Sequence, residues 1–205
     1  MDKIIISVDQ MRKSDAYTIE NFVPSNELMY RAANGVFKSF MRWENKKIAI
    51  VVGGGNNGGD GYALAGILKK NNIDSTIIKV SEKMSEDGKY YSDIATELCV
   101  KAEMFTESTD LTSYDVIVDC ILGTGFTGEV RGLAKDAIEA INKSGAYVIS
   151  VDINSGMNGD TGEASLAVKS DLTVSIGYYK QGLFTEAAKE FIKEMINVDI
   201  GIVLI

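Results

Sequence analysis

"KIAIVVGGGNNGGDGYALAGILKK", residues 47–70, reads as an apolar strand, a glycine-rich loop and a helix. The β-branched run suits a buried strand, and the glycines let the chain turn sharply into the helix that follows. The loop holds a literal G-x-G-x-x-G (Gly53, Gly55, Gly58), the pattern of a phosphate-binding turn at a helix N-terminus. It also holds Asn56, Asn57 and Asp60, and a carboxylate is unexpected where a ligand's phosphate would lie.

Working outward, the same rhythm continues. Apolar runs recur at "STIIKV" (75–80), "YDVIVDCIL" (114–122), "AYVISVDI" (146–153) and "LTVSIG" (172–177). Helical segments lie between them, including "GKYYSDIATELCV" (88–100) and "LAKDAIEAINKSG" (133–145). Continuous apolar strands alternating with helices indicate βαβ units, so a mostly parallel, doubly wound α/β sheet is expected. "MINVDIGIVLI" (195–205) is expected to add an edge strand.

Before residue 46 the pattern is helical. "SVDQMRKSDAYTIE" (7–20) starts with possible caps Ser7 and Asp9, and "PSNELMYRAANGVFKSFMRW" (24–43) starts at Pro24–Ser25. In the second, Met29, Ala33, Val36, Phe37, Phe40 and Met41 form an apolar face at helical spacing. The 205 residues, with no repeat or long linker, are read as one domain, 1–205.

Composition narrows the function. The net charge of -8 argues against sequence-blind nucleic-acid binding, which needs clustered Lys and Arg. No run of about 18 apolar residues appears, so no membrane partner is expected. Two cysteines, Cys99 and Cys120, give no disulfide framework and fit a cytoplasmic protein. The chain has no histidine, so proton transfer must fall to Asp, Glu, Lys, Tyr or Cys, and a hard cation would be held by oxygens.

In an open parallel sheet, ligands bind beyond the carboxyl ends of the strands. Three loops there combine glycines with a carboxylate: the loop with Asp60, "CILGTGFTGEVRG" (120–132) after Asp119, and "INSGMNGDTGEA" (153–164) after Asp152. Each aspartate alone could be a cap or turn residue; for Asp60 capping and function could coexist. "GGDGYA" lacks the Gly-Lys-Ser/Thr of a P-loop, and "STIIKVSEK" ends among lysines, with only Glu82 to bind a ribose. The residues point to a nucleotide-like ligand, a hard cation and a carboxylate for proton transfer.

"GGGNNGGDG", "VDCILGTGFTGEVRG" and "SVDINSGMNGDTGE" resemble the three signature stretches of NAD(P)HX epimerases, the YjeF N-terminal domains. "YYKQGLF" and "NVDIGI" are similar too, so the likeness covers nearly the whole chain. The resemblance implies a Rossmann-like three-layer α/β/α fold with extra N-terminal helices, commonly in a homodimer. It implies a substrate, NADHX or NADPHX, that is hydrated at C6 of the reduced nicotinamide ring. The family interconverts the R and S epimers for a dehydratase that accepts only one.

Carried over, the potassium ligands fall on Asn57, Asp119 and Ser155, with one K+ per subunit. The substrate contacts fall on Asn56, Asn57, Gly58, Gly59, Asp60, Gly123, Thr124, Gly125, Phe126, Thr127, Gly128, Glu129 and Asp152. Asp152 is the candidate catalytic acid and base, with Lys79 or Lys83 as possible helpers. Asn154 stands where the family usually has proline, so a slacker loop is expected there. The rival reading is a dimerising RNA-binding module, a role the same domain type plays in messenger-RNA decapping scaffolds. Another is an enzyme for a different nucleotide-like ligand.

Overall fold

The computed structural model describes residues 3–205. After a two-residue strand β1 (Ile5–Ile6), helix α1 runs over Val8–Asn21. Ser7 is its N-cap, the hydroxyl accepting from the Gln10 amide at 3.1 Å. Asp9 lies in the first turn and is not the cap. Helix α2 (Ser25–Ser39) follows and buries Met29, Ala33 and Val36, with Phe37 half-buried beside them. It ends before Phe40, whose backbone is extended (φ −127°, ψ 113°). Phe40 still turns into the core, its ring 4.7 Å from Trp43 and 5.1 Å from Tyr147. The extended residue takes Met41 off the helical face, and Met41 is 85% exposed.

The alternation begins at β2 (Ile48–Val52) and continues through α3 (Asn56–Lys70), β3 (Ser75–Lys79), α4 (Glu86–Glu97) and β4 (Lys101–Met104). It resumes with β5 (Val116–Cys120), α5 (Gly132–Lys143), β6 (Tyr147–Val151) and β7 (Ser170–Ile176). A two-residue strand β8 (Tyr179–Lys180) and then β9 (Ile192–Val198) complete the order. Seven strands form one sheet, β4-β3-β2-β5-β6-β7-β9, and every pairing in it is parallel.

The central strands explain the continuous apolar runs. All five residues of β2 are buried, as are all five of β5. Ile48, Ile50 and Val52 join the core under α2, α3 and α4, while Ala49 and Val51 join the core under α5. Each large side chain so placed stabilises the fold by about 1.5–3 kcal/mol. Helices thus cover both faces, giving the three-layer α/β/α arrangement.

From β2 successive strands are added toward one edge (β3, β4), and from β5, its parallel neighbour, toward the other (β6, β7), so the winding of the sheet reverses between them. The crevice at their carboxyl ends is where a doubly wound sheet binds ligands. Register also aligns Asp119 with Ser150 across β5 and β6.

Two expectations need correction. β4 was not read from the sequence, because this edge strand carries Lys101 and Glu103 and is at least partly exposed throughout. The closing strand spans Ile192–Val198, so it starts earlier than residue 195 and stops before Asp199. There Asp199 Oδ1 accepts from the Gly201 amide at 2.8 Å, and Gly201 takes φ +87°. That turn breaks the ladder. The last residues instead cross α1, the Val203 amide donating to Thr18 Oγ1 at 2.9 Å. No helix among the described residues is long and apolar enough to cross a membrane.

Candidate active site

The first loop is shaped by backbone crowding. A Cβ on Gly53 would lie 1.9 Å from the Ile121 carbonyl oxygen, and one on Gly58 would lie 2.1 Å from the Gly53 carbonyl oxygen. These glycines let the β2 and β5 loops and the start of α3 meet without side chains. Gly55 is the N-cap of α3, so the first amides of Asn56 onward face the crevice. Asp60 is the fifth residue of α3 and caps nothing; its carboxyl makes no hydrogen bond or ion pair among the described residues.

Beneath the loops lies a polar knot. Asp119 is fully buried on β5. Its Oδ1 accepts from Ser155 Oγ at 2.5 Å and from the Ile121 amide at 3.2 Å. Its Oδ2 accepts from Ser150 Oγ at 2.8 Å and from the Ser155 amide at 2.9 Å. Burial pushes this carboxyl up, and the four hydrogen bonds only partly offset that. Ser155 Oγ in turn accepts from the Leu122 amide at 2.8 Å. Asn57 donates its Nδ2 to the Leu122 carbonyl at 3.1 Å, while its buried Oδ1 has no partner. An orphaned buried oxygen costs about 1–3 kcal/mol. The donors here are all oxygens, so the residues fit a hard monovalent cation.

Above the knot, Asp152 directly follows β6 with φ +68°, a left-handed conformation that costs a non-glycine residue about 1 kcal/mol or more. The kink turns its carboxylate into the crevice, where Oδ1 accepts from the Ile176 amide at 3.2 Å and pairs with Lys180 Nζ. Lys180 is 1% exposed and also donates to the Ile176 carbonyl at 2.7 Å. Asp15 arrives from α1. Burial, then the charge of Asp152, raises the Asp15 carboxyl, against the pull of Lys180. Burial, then Asp152 and Asp15, pushes Asp60 well above the usual carboxylate range.

These groups line one cavity of about 630 Å³. Of the expected contacts, Asn56, Asn57, Asp60, Gly123, Thr124, Gly125, Phe126 and Asp152 lie on its wall. Gly58 and Gly59 do not; Gly58 packs against Gly53 and Gly59 against the Met29 side chain. Thr127 and Gly128 line a second cavity of about 260 Å³ that shares Phe126 with the first. Glu129 is exposed and pairs with Arg131 at 3.1 Å. Asp119 and Ser155 sit below the wall, linked to Asn57's side chain through Leu122, whose carbonyl oxygen lies 3.1 Å from both Asn57 Nδ2 and Ser155 Oγ. Lys79 pairs with Glu82 at 3.2 Å, and neither Lys79 nor Lys83 lines the cavity.

The third loop is not slack. Asn154 is fully buried, and its Nδ2 donates to the Val168 carbonyl at 2.8 Å and to Ser170 Oγ and the Phe191 carbonyl, each at 3.0 Å. Its Oδ1 accepts from Thr173 Oγ1 at 2.6 Å. The amide side chain ties the loop to β7 and to the chain entering β9, replacing the stiffness of a proline by hydrogen bonds.

Sequence reading missed Lys180, Asp15 and Arg12 of the cavity wall. The signal for Asp15 was its place beside Met11, Ser14 and Thr18 on the buried face of α1. Lys180 stands in the quoted "YYKQGLF", with nothing in that stretch to say which carboxylate it meets.

Residues 25–182 match the family of YjeF-related protein N-termini. The chain belongs to this family. A relative from Oenococcus oeni called NAD(P)H-hydrate epimerase is 37% identical over 98% of this chain and 99% of its own length. A bifunctional NAD(P)H-hydrate repair enzyme from Coxiella burnetii is 35% identical over 94% of this chain, which spans 40% of that longer protein. The crystal structure of yeast ynu0 superposes with a TM-score of 0.79 at 21% identity, covering 93% of this chain and 87% of the yeast chain. That likeness shows the fold. The YjeF-related match includes all three glycine loops and Lys180, and it leaves out α1.

Proposed function

We propose that this protein is an NAD(P)H-hydrate epimerase, interconverting the R and S hydrates of NADH and NADPH. What supports the reading most directly is Asp152, kinked into the cavity and paired with Lys180, together with the near-full-length relative of that name. The bifunctional relative supports a link to a dehydratase that accepts one epimer. We further place the protein in the cytoplasm as a homodimer.

The reacting carbon bears a hydroxyl and the ring nitrogen. Protonation of the hydroxyl lets it depart as water while the nitrogen lone pair forms an iminium. Water then adds from the opposite face and gives up a proton, so protons balance over the cycle. One carboxyl must give a proton and one must take it. Asp152 takes the proton of the incoming water and is held in place by Lys180. Asp60, unpaired and driven toward its neutral form, gives a proton to the departing hydroxyl. In the reverse direction the two exchange roles.

The amides at the start of α3 and of the Gly123–Phe126 segment receive the substrate's phosphates. Asn57, Asp119 and Ser155 would hold one potassium ion per subunit. When bound, it supplies a fixed positive charge beside an anionic substrate and a buried carboxylate.

A sample of one purified epimer tests the reading. Chromatography is expected to show the protein bringing R and S to equilibrium far faster than buffer does. Equal rates with and without it contradict the proposal.

A further inference from the structure

Three carboxylates, Asp15, Asp60 and Asp152, share the cavity wall with Asp87. A dinucleotide bringing a diphosphate into such a cavity requires positive charge within reach. Among the described residues that line it, only Lys180 and Arg12 are cationic. Lys180 is buried and engaged by Asp152 and the Ile176 carbonyl.

Arg12 is different. It projects from α1, three residues before Asp15, and is solvent-exposed. Its Nη2 donates to the Thr124 carbonyl at 2.7 Å, which sets the guanidinium beside the second glycine loop. No carboxylate among the described residues pairs with it, so of its five N–H donors four remain free. Next to Thr124 stands Gly125, where a Cβ would meet nothing within 4 Å, so a ligand can approach the backbone there.

Resting on the epimerase reading, we infer that Arg12 binds the diphosphate of the substrate against the Thr124–Gly125 segment. The carboxylates of the wall are then left to face the nicotinamide ring. The bond to Thr124 preorients the guanidinium fork for bidentate contact with phosphate oxygens, which a lysine cannot reproduce. It also makes α1, which lies outside the matched family residues, part of the substrate site.

The test compares the wild type with Arg12→Gln and Arg12→Lys. Calorimetric titration with ADP-ribose, which carries the diphosphate without the reacting ring, is expected to weaken about 10–100-fold in Arg12→Gln, as for a lost charge-assisted contact. Arg12→Lys should recover part of the loss, and the salt dependence of binding should flatten in Arg12→Gln. In the reaction itself, preference for hydrated NADH over hydrated reduced nicotinamide riboside should fall by a similar factor, through KM. Unchanged ADP-ribose affinity, or an unchanged preference between the two hydrates, overturns the inference and reduces Arg12 to an anchor of the loop. ADP-ribose binding that depends on Arg12 in a protein without epimerase activity would instead leave Arg12 in place and remove the epimerase reading alone.

Discussion

Lys180, 1% exposed, meets Asp152 across 28 residues of sequence through a bond that puts its ammonium on Oδ1. The pair forms because β8 returns the chain to β1 directly after β7, carrying Lys180 under the kinked end of β6. Its partner's left-handed backbone and the Ile176 contacts fix both ends. The position of the carboxylate is therefore set before any ligand arrives.

Asp152→Asn is expected to lower kcat by about 10²–10⁴-fold, the usual share of one proton-transfer group. Circular dichroism should show an intact fold. Lys180→Met should cost about 3 kcal/mol in urea unfolding, since it strands a largely buried carboxylate without its cation. A Lys180→Met protein as stable as the wild type would show that the ion pair does not hold Asp152.

Asp60 gives a pH signature whose sign is fixed by its raised carboxyl. A folded-state pKa above the unfolded value means the folded protein binds the proton more tightly. That contribution is fully present below the ordinary value of 3.8 and is lost as pH rises through the raised value. At pH 7–8, Asp60→Asn should therefore raise the melting temperature, and the gain should shrink as pH falls toward 4. Scanning calorimetry across that range reads it. Epimerase activity of Asp60→Asn should fall at every pH, because the amide cannot give the proton.

Asn57 carries the cation prediction. Replacing choline chloride by potassium chloride at constant ionic strength should stabilise the protein, by up to about 2.7 kcal/mol at a hundredfold excess over Kd. Lithium, too small for the same oxygens, should do less. Asn57→Leu removes the orphaned oxygen and should abolish the potassium effect. Equal melting temperatures in potassium and choline would remove the cation from the site.

Asn154→Ala strips four hydrogen bonds from a buried position and leaves Thr173 without its acceptor. The cost should be about 2–4 kcal/mol in chemical unfolding. Asn154→Pro, the residue that the resemblance implies at this turn, should lose nearly as much, because the partners around Asn154 are this chain's own. A stabilised Asn154→Pro variant would mean that stiffness matters there more than the hydrogen bonds.

How much of this was legible in the chain follows from what each element depends on. β2, β5 and β6 are apolar because both faces are covered, so their runs were readable directly. Three strand-end loops with aspartates pointed to the crevice where the cavity lies because a parallel sheet places every such loop at one edge. β4 was invisible since an edge strand with Lys101 and Glu103 has no apolar pattern to show. Asp60 looked like a cap because the exact first residue of α3 depends on Gly55, a glycine with no side-chain signal. Arg12, Asp15 and Lys180 meet the loops only through the packing of α1 and the β1–β8 pair, long-range events that no local spacing encodes.

The most direct measurement supplies a mixture of R and S hydrates to a dehydratase that accepts one epimer, and follows the reduced coenzyme by absorbance. With this protein present, recovery should run to completion past the share of the accepted epimer. In its absence, recovery should stall at that share. A stall at the same point with the protein present contradicts the epimerase assignment.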